Sequence, residues 1–178
     1  MSGFVLWFTG LSAAGKTTIA NGVAPELERG GLVVDLLDGD VVRTHLSKGL
    51  GFSKEDRDTN VARIAWVASR VSRAGAVVIV SAISPYEEAR RLARSLVEQQ
   101  VPFVEVHVAT PVEECARRDP KGLYAKALAG EISDFTGVSA PYEAPLDPEL
   151  RLDTTHATPA ESAAAVLARL EELNLVAP

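Results

Sequence analysis

Apolar residues fall along this chain in two rhythms. Short, largely apolar runs at Phe4-Val5-Leu6-Trp7-Phe8, Val33-Val34-Asp35-Leu36-Leu37, Val77-Val78-Ile79-Val80 and Phe103 to Val108 suit strands covered on both faces. Between them, apolar positions recur every three or four residues: Ile19, Val23 and Leu27, then Val61, Ile64, Ala65, Ala68 and Val71. Ala89, Leu92, Ala93 and Leu96 repeat the spacing, as do Ala163, Val166, Leu167, Leu170 and Leu173. Each set predicts one buried face of a helix. Pro25 removes an internal hydrogen bond from the first helix and predicts a kink, while Gly30-Gly31 and Gly75 close the first two. Leu150-Arg151-Leu152 is a weak fifth strand, expected to be short or near an edge.

Helix starts are marked three times. Ser84-Pro85-Tyr86-Glu87, Thr110-Pro111-Val112-Glu113 and Thr158-Pro159-Ala160-Glu161 each place a hydroxyl at the N-cap, proline at the first helical position and glutamate at the third. That pattern predicts a capping box with a pre-set φ. Repeated strand-helix units with short connections predict parallel strands layered between helices. In such sheets ligands sit beyond the strand C-termini. The first apolar run leads into Gly10-Leu11-Ser12-Ala13-Ala14-Gly15-Lys16-Thr17, which fits the phosphate-binding loop G-x-x-x-x-G-K-[ST] in its expected strand-loop-helix setting. Loop amides and the helix N-terminus converge on one spot and attract phosphate. Lys16 is expected to reach the β- and γ-phosphates and Thr17 to place its hydroxyl on Mg²⁺, with Thr18 closing the loop. The expected class is α/β: a three-layer αβα sandwich of the P-loop nucleoside triphosphate hydrolase type, with a mostly parallel five-stranded sheet.

Composition adds limits. The 178 residues are most simply one domain, 1–178, and carry 18 Lys plus Arg against 24 Asp plus Glu, a net −6 with no excess of positive charge for a nucleic acid backbone. No apolar run reaches membrane-spanning length, and the first eight residues lack a signal-peptide pattern. Cys115 is alone, which suits a reducing cytoplasm. His45, His107 and His156 lack zinc-ligand spacing. Residues 116–147 contain no clear strand but carry basic residues, glycines and prolines, the makeup of a mobile lid over a phosphate site.

The acceptor must be read elsewhere than in the loop. No N-K-x-D guanine selector exists, and Asp119-Pro120-Lys121-Gly122 matches the D-x-x-G switch element only in a place where a switch would not lie. Asp38 and Asp40 end the second strand as a carboxylate pair, while Arg43, Arg57 and Lys121 offer cations. A solvated turn is the bland alternative for the aspartates, a solvated helix surface for Arg43 and Arg57, and core packing for Phe52 and Phe135.

Taken together, Leu37-Asp38-Gly39-Asp40-Val41-Val42-Arg43, Leu50-Gly51-Phe52-Ser53-Lys54-Glu55-Asp56-Arg57, Asn60, Ile83-Ser84-Pro85-Tyr86, Arg118-Asp119-Pro120-Lys121-Gly122-Leu123-Tyr124, Phe135-Thr136-Gly137 and Pro141-Tyr142-Glu143-Ala144-Pro145 resemble the adenylylsulfate kinase family over nearly the whole chain. The resemblance implies transfer of the γ-phosphate of ATP to the 3′-hydroxyl of adenylyl sulfate. It implies that Asp40 orients that hydroxyl and that Asp38 helps organise Mg²⁺. It further implies that Arg43, Arg57 and Asn60 hold the phosphosulfate, that Phe52 and Phe135 sandwich the acceptor's adenine, and that Ile83, Ser84 and Leu123 line its pocket. Lys121 would close over the phosphates and Arg118 border the ATP base. Relatives are commonly homodimers, which is the expectation here by analogy.

Two features depart from the family pattern. Ala13 stands where glycine is common, and the third strand ends Val80-Ser81-Ala82 without a Walker-B aspartate, which leaves Asp38 as the candidate magnesium ligand. A serine at the position of Ser84 can carry phosphate in some members; direct transfer is preferred here because Ser84 is expected to cap a helix. A P-loop kinase for another small metabolite, and a nucleotide-binding regulatory domain without catalysis, remain the competing readings.

Overall fold

A computed structural model describes residues 3–177. β1 (Val5–Thr9) is followed by α1 (Lys16–Arg29), β2 (Val34–Asp38), α2 (Gly39–His45), α3 (Lys54–Arg73), β3 (Val77–Ser81), α4 (Glu87–Glu98), β4 (Phe103–Val108), α5 (Val112–Arg118), α6 (Leu123–Leu128), β5 (Leu150–Leu152) and α7 (Pro159–Glu172). The strands form one sheet in the order β2-β3-β1-β4-β5, every pairing parallel. β5 is the short edge strand that its sequence predicts.

Alternation along β1 separates two cores. Leu6 and Phe8 join Ile19, Val23, Val166 and Leu170 on the face covered by α1 and α7. Val5 and Trp7 join Val61, Ile64, Ala93 and Val97 on the face covered by α3 and α4. Because both faces are covered, β1, β3 and β4 are buried throughout. β2 lies at the other edge and is only partly covered; Val33 falls outside it and is exposed. α1 continues as one helix through Pro25. Leu92 does not belong to the buried face of α4, which is made by Ala89, Arg90, Ala93 and Val97.

Of the three expected capping boxes, only that of α7 forms: Thr158 accepts from the Glu161 amide and Glu161 reaches back to the Thr158 amide. Ser84 does not cap α4. It sits at φ 42, the helix begins at Glu87, and its hydroxyl donates to the Ala82 carbonyl (3.2 Å) while accepting from the Trp7 indole (3.0 Å). Thr110 does not cap α5 either, because its hydroxyl is held by the Ala14 carbonyl and the Thr154 hydroxyl. In both cases a tertiary partner has outcompeted the local one.

Candidate active site

Parallel strands deliver their C-terminal ends to one edge of the sheet, so Thr9, Asp38, Ser81 and Val108 emerge together. The turn after β1 is the glycine loop. A side chain at Gly10 would begin 2.5 Å from the Val108 carbonyl, and Gly15 takes φ 110 to enter α1. No side chain caps that helix, so its first N–H groups face the loop's hollow. Ala13 adopts φ 60, a left-handed conformation costing about 1–2 kcal/mol for a residue with a Cβ. The cost is offset from outside the loop. Arg118 donates to the Ala13 carbonyl (3.4 Å), and the Thr110 and Thr154 hydroxyls lie 3.0 and 2.8 Å from the Ala14 carbonyl. Tyr124 donates to the Ser12 carbonyl at 2.9 Å.

Lys16 folds over the loop, its ammonium donating to the Gly10 and Leu11 carbonyls at 2.9 and 2.7 Å. Burial pulls its pKa down to about 8, only partly countered by the negative charge of Asp38 and Asp40. Thr17 donates to Asp38 Oδ2 (2.8 Å), which leaves Ser81 as the donor in the 3.0 Å contact between the two hydroxyls. Asp38 also caps α2 by accepting from the Asp40 amide (3.0 Å), so its second oxygen serves the turn while Oδ2 meets Thr17. Two hydroxyls and a carboxylate, Thr17 at the start of α1 with Ser81 and Asp38 at two strand ends, form a hard-oxygen set that would fit a magnesium ion. Among the described residues no group of three His, Cys, Asp or Glu is placed to hold a metal ion.

These residues line a cleft of about 540 Å³ that also includes Asp40, Ile83, Arg118 and Lys121. Asp40, on the first turn of α2, pairs with Lys121 from the segment after α5, and that contact raises the lysine's pKa. Arg118 is held in place by Thr154, whose hydroxyl and carbonyl each accept at 2.8 Å, and by Glu114. Asp119 has a structural duty: its two oxygens accept from the Tyr124 and Ala125 amides and start α6. The D-x-x-G match is therefore a helix start.

The remaining predicted residues gather beside this cleft. The Arg43 guanidinium lies 4.4 Å from the centre of the Phe52 ring and that of Arg57 lies 5.7 Å from it. Phe52 is largely exposed, not a core residue. Burial lowers the pKa of Arg43, and the like charge of Arg57 lowers it further. Arg57 is itself buried and donates to the Phe52 carbonyl (2.8 Å), the Thr136 hydroxyl (2.7 Å) and the Asp134 carbonyl. It thus joins the segment of Phe52 to that of Phe135. Phe135 packs edge-on to Tyr124 with ring centres 5.0 Å apart, and Leu123 opens α6 nearby. Asn60 is buried with its Oδ1 unpaired among the described residues.

The family model for adenylylsulphate kinase matches residues 2–153. This chain belongs to the adenylylsulfate kinase family. It is 51% identical over 176 residues to an adenylyl-sulfate kinase of Picosynechococcus, covering 99% of this chain and 98% of that protein. A probable bifunctional SAT/APS kinase 2 of Sorangium cellulosum is 55% identical over 177 residues; there the chain spans 99% of its own length but only 30% of the relative's. A Mycobacterium tuberculosis APS kinase, CysC, solved in complex with AMPPNP and APS, superposes with a TM-score of 0.92 at 45% identity, covering 96% of this chain and 98% of that one. As in other adenylylsulfate kinases, the fold is that of a P-loop kinase, and the protein is an ATP-dependent phosphotransferase.

Several residues of this kinase's site were not among the expected site residues. Thr110 and Thr154 brace the loop, Ser81 joins Thr17, and Thr136 holds Arg57. Ser81 stands at the end of β3 in place of an aspartate, Thr110 and Thr136 lie in motifs whose local reading pointed elsewhere, and Thr154 has no sequence signal.

Proposed function

We propose that this kinase transfers the γ-phosphate of ATP directly to the 3′-hydroxyl of adenylyl sulfate, giving ADP and 3′-phosphoadenylyl sulfate. The observation that carries the reading is one continuous edge where the phosphate loop and the Asp40–Lys121 pair share a cleft with an arginine-flanked aromatic ring at its side. Gly10 to Thr18 cradle the phosphates, and Arg118, fixed by Thr154, borders the ATP base. Thr17 and Asp38 would hold Mg²⁺, with Ser81 beside them, and the ion when bound would supply positive charge against the ATP phosphates. Arg43 and Arg57 are like charges crowded around one ring, an arrangement that an anion relieves. Asn60, one turn after Arg57 on α3, would add its amide N–H₂ as a donor to that anion. Phe52 and Phe135 flank the adenine, with Ile83 and Leu123 lining the same pocket. Asp40 accepts the hydroxyl proton once the acceptor draws Lys121 away toward the phosphates. Segment 116–147 acts as the lid that excludes water.

Direct transfer is preferred over a phosphoserine at Ser84, though for a different reason from helix capping. The Ser84 hydroxyl is buried and already engaged by Trp7 and Ala82, so phosphorylation would break both contacts and bury a dianion. By family analogy the kinase works as a homodimer; among the described residues no helix is long and apolar enough to cross a membrane, and a cytoplasmic setting suits its substrates. The test is ADP release from Mg²⁺-ATP with and without adenylyl sulfate. Acceptor-dependent release with phosphate recovered on the 3′-oxygen is expected, and its absence would return the chain to the other two readings.

A further inference from the structure

The wall Ile83–Glu87 has a backbone that its own sequence does not hold. Ser84 is left-handed, and α4 starts with no side-chain cap from its N-cap residue, Tyr86. The missing partners come from Tyr142 and Glu143, at the C-terminal root of the covering segment. Glu143 Oε2 accepts from the Glu87 amide (2.8 Å), and the Glu143 amide donates to the Pro85 carbonyl (2.8 Å). Arg90 completes the bridge, one end of its fork donating to the Ser84 carbonyl (2.7 Å) and the other to the Glu143 carbonyl (2.6 Å). Its guanidinium is buried and paired with Glu87 at 2.7 Å and Glu105 at 3.1 Å. The Tyr142 hydroxyl lies 2.9 Å from that of Thr9, whose single proton goes to the Ile83 carbonyl at 2.6 Å. Tyr142 is therefore the donor, and burial keeps it protonated through the neutral range, with a pKa of about 12.

We propose that Tyr142, Glu143 and Arg90 are positioning residues that set the Ile83–Ser84 wall against the acceptor by clamping it to the root of the covering segment. This rests on the kinase reading above for the identity of the acceptor. The bonds of Glu143 and Arg90 to this wall end on the Ser84 and Pro85 carbonyls and the Glu87 amide, while Tyr142 reaches Ile83 through the Thr9 hydroxyl. The wall meets the glycine loop in a long bond from the Gly10 amide to the Ile83 carbonyl (3.4 Å), and no clamp side chain bonds to Lys16 or to the loop itself. Loss of the clamp moves one side of the site relative to the other, and displacement on the ångström scale is enough to weaken productive alignment.

Steady-state kinetics of the full chain, varying Mg²⁺-ATP and adenylyl sulfate in turn, test this with Tyr142→Phe, Glu143→Ala and Glu143→Gln. Tyr142→Phe deletes one O–H, and Glu143→Gln keeps an oxygen for the Glu87 amide. The expected result is an acceptor KM raised roughly 3- to 10-fold in Tyr142→Phe and Glu143→Ala, the scale of one lost hydrogen bond. The KM for ATP should stay within twofold of wild type, and Glu143→Gln should recover most of the loss. Wild-type acceptor KM in both deleting variants overturns the proposal, as do equal rises in both KM values, which mark a merely structural role. Amide exchange of the same proteins separates this from failure of the kinase reading. If the wild type released no ADP in response to adenylyl sulfate, that reading would fall, and the clamp would still be judged by exchange. Faster exchange at residues 83–87 in Glu143→Ala, with the glycine loop unchanged, supports it; unchanged exchange at both overturns it.

Discussion

The two ends of the cleft are built on different principles. At the nucleotide end, one contiguous stretch does nearly everything: β1, the loop and the start of α1 supply the amides, the lysine and the hydroxyl within residues 10–18. At the acceptor end, residues from α2, α3, the β3–α4 connection and the segment after α5 are brought together by side chains bonding to distant backbone carbonyls. Arg57 bonds Phe52 to the Asp134–Thr136 segment, and Arg90 bonds Ser84 to Glu143. In the proposed reading the first end would recognise a group common to all nucleoside triphosphates, which backbone geometry alone can grip. Recognition of one particular acceptor needs several chemically distinct groups, and no short stretch can present them all.

Breaking each end should therefore give different kinetic signatures. The largest effect belongs to the reacting groups. Asp40→Asn should lower kcat by about 10²–10⁴-fold, the range of general-base assistance, with little change in acceptor affinity. An unchanged kcat with proportionate loss of acceptor affinity would reassign Asp40 to uniform binding. Next comes the aromatic wall: Phe52→Ala should weaken acceptor binding by roughly 1–3 kcal/mol, as base stacking on a ring does, while ATP binding measured by calorimetry stays constant. Unchanged acceptor affinity would remove Phe52 from the site.

The nucleotide end should respond to pH instead. Lys16 loses its proton as pH rises through about 8, so the protonated form that attracts phosphate is depleted and ATP affinity should fall, by up to about tenfold per pH unit above that point. Folding stability runs the other way. The unfolded chain keeps this proton up to about 10.4, so between roughly 8 and 10.4 it binds more protons than the native state, and Lys16's contribution rises with pH. Titrating ATP binding and thermal stability in parallel, with Lys16→Met as the control that lacks both slopes, checks the pair of signs. The smallest effect is at Ala13. Ala13→Gly relieves a left-handed alanine and should raise the melting temperature by about 2–4 °C, for a gain near 1 kcal/mol in a protein of this size. A fall would show that the threonine braces need the methyl group.

The same contrast governs what could be read in advance. Alternating strand and helix rhythms were enough for the five parallel strands and for the short edge at β5, because burial on both faces leaves a periodic imprint on the chain. The loop residues were legible for a related reason, since their spacing is the geometry. Ser84 and Thr110 misled because a capping box is a local preference, and each hydroxyl found a buried tertiary partner instead, the Trp7 indole in one case and the Ala14 carbonyl in the other. Arg57 and Phe52 were recognisable only through family resemblance, and the bonds that join them to Thr136 span 79 positions, beyond the reach of any local pattern.

The Trp7–Ser84 contact has an optical consequence. This kinase has two tryptophans; Trp7 is fully buried in the central strand with its N–H on the acceptor wall, whereas Trp66 is 56% exposed on α3. Their emission should therefore separate into a blue component tied to that wall and a red one set by solvent. The protein carries its own fluorophore and its own internal reference for watching the acceptor arrive.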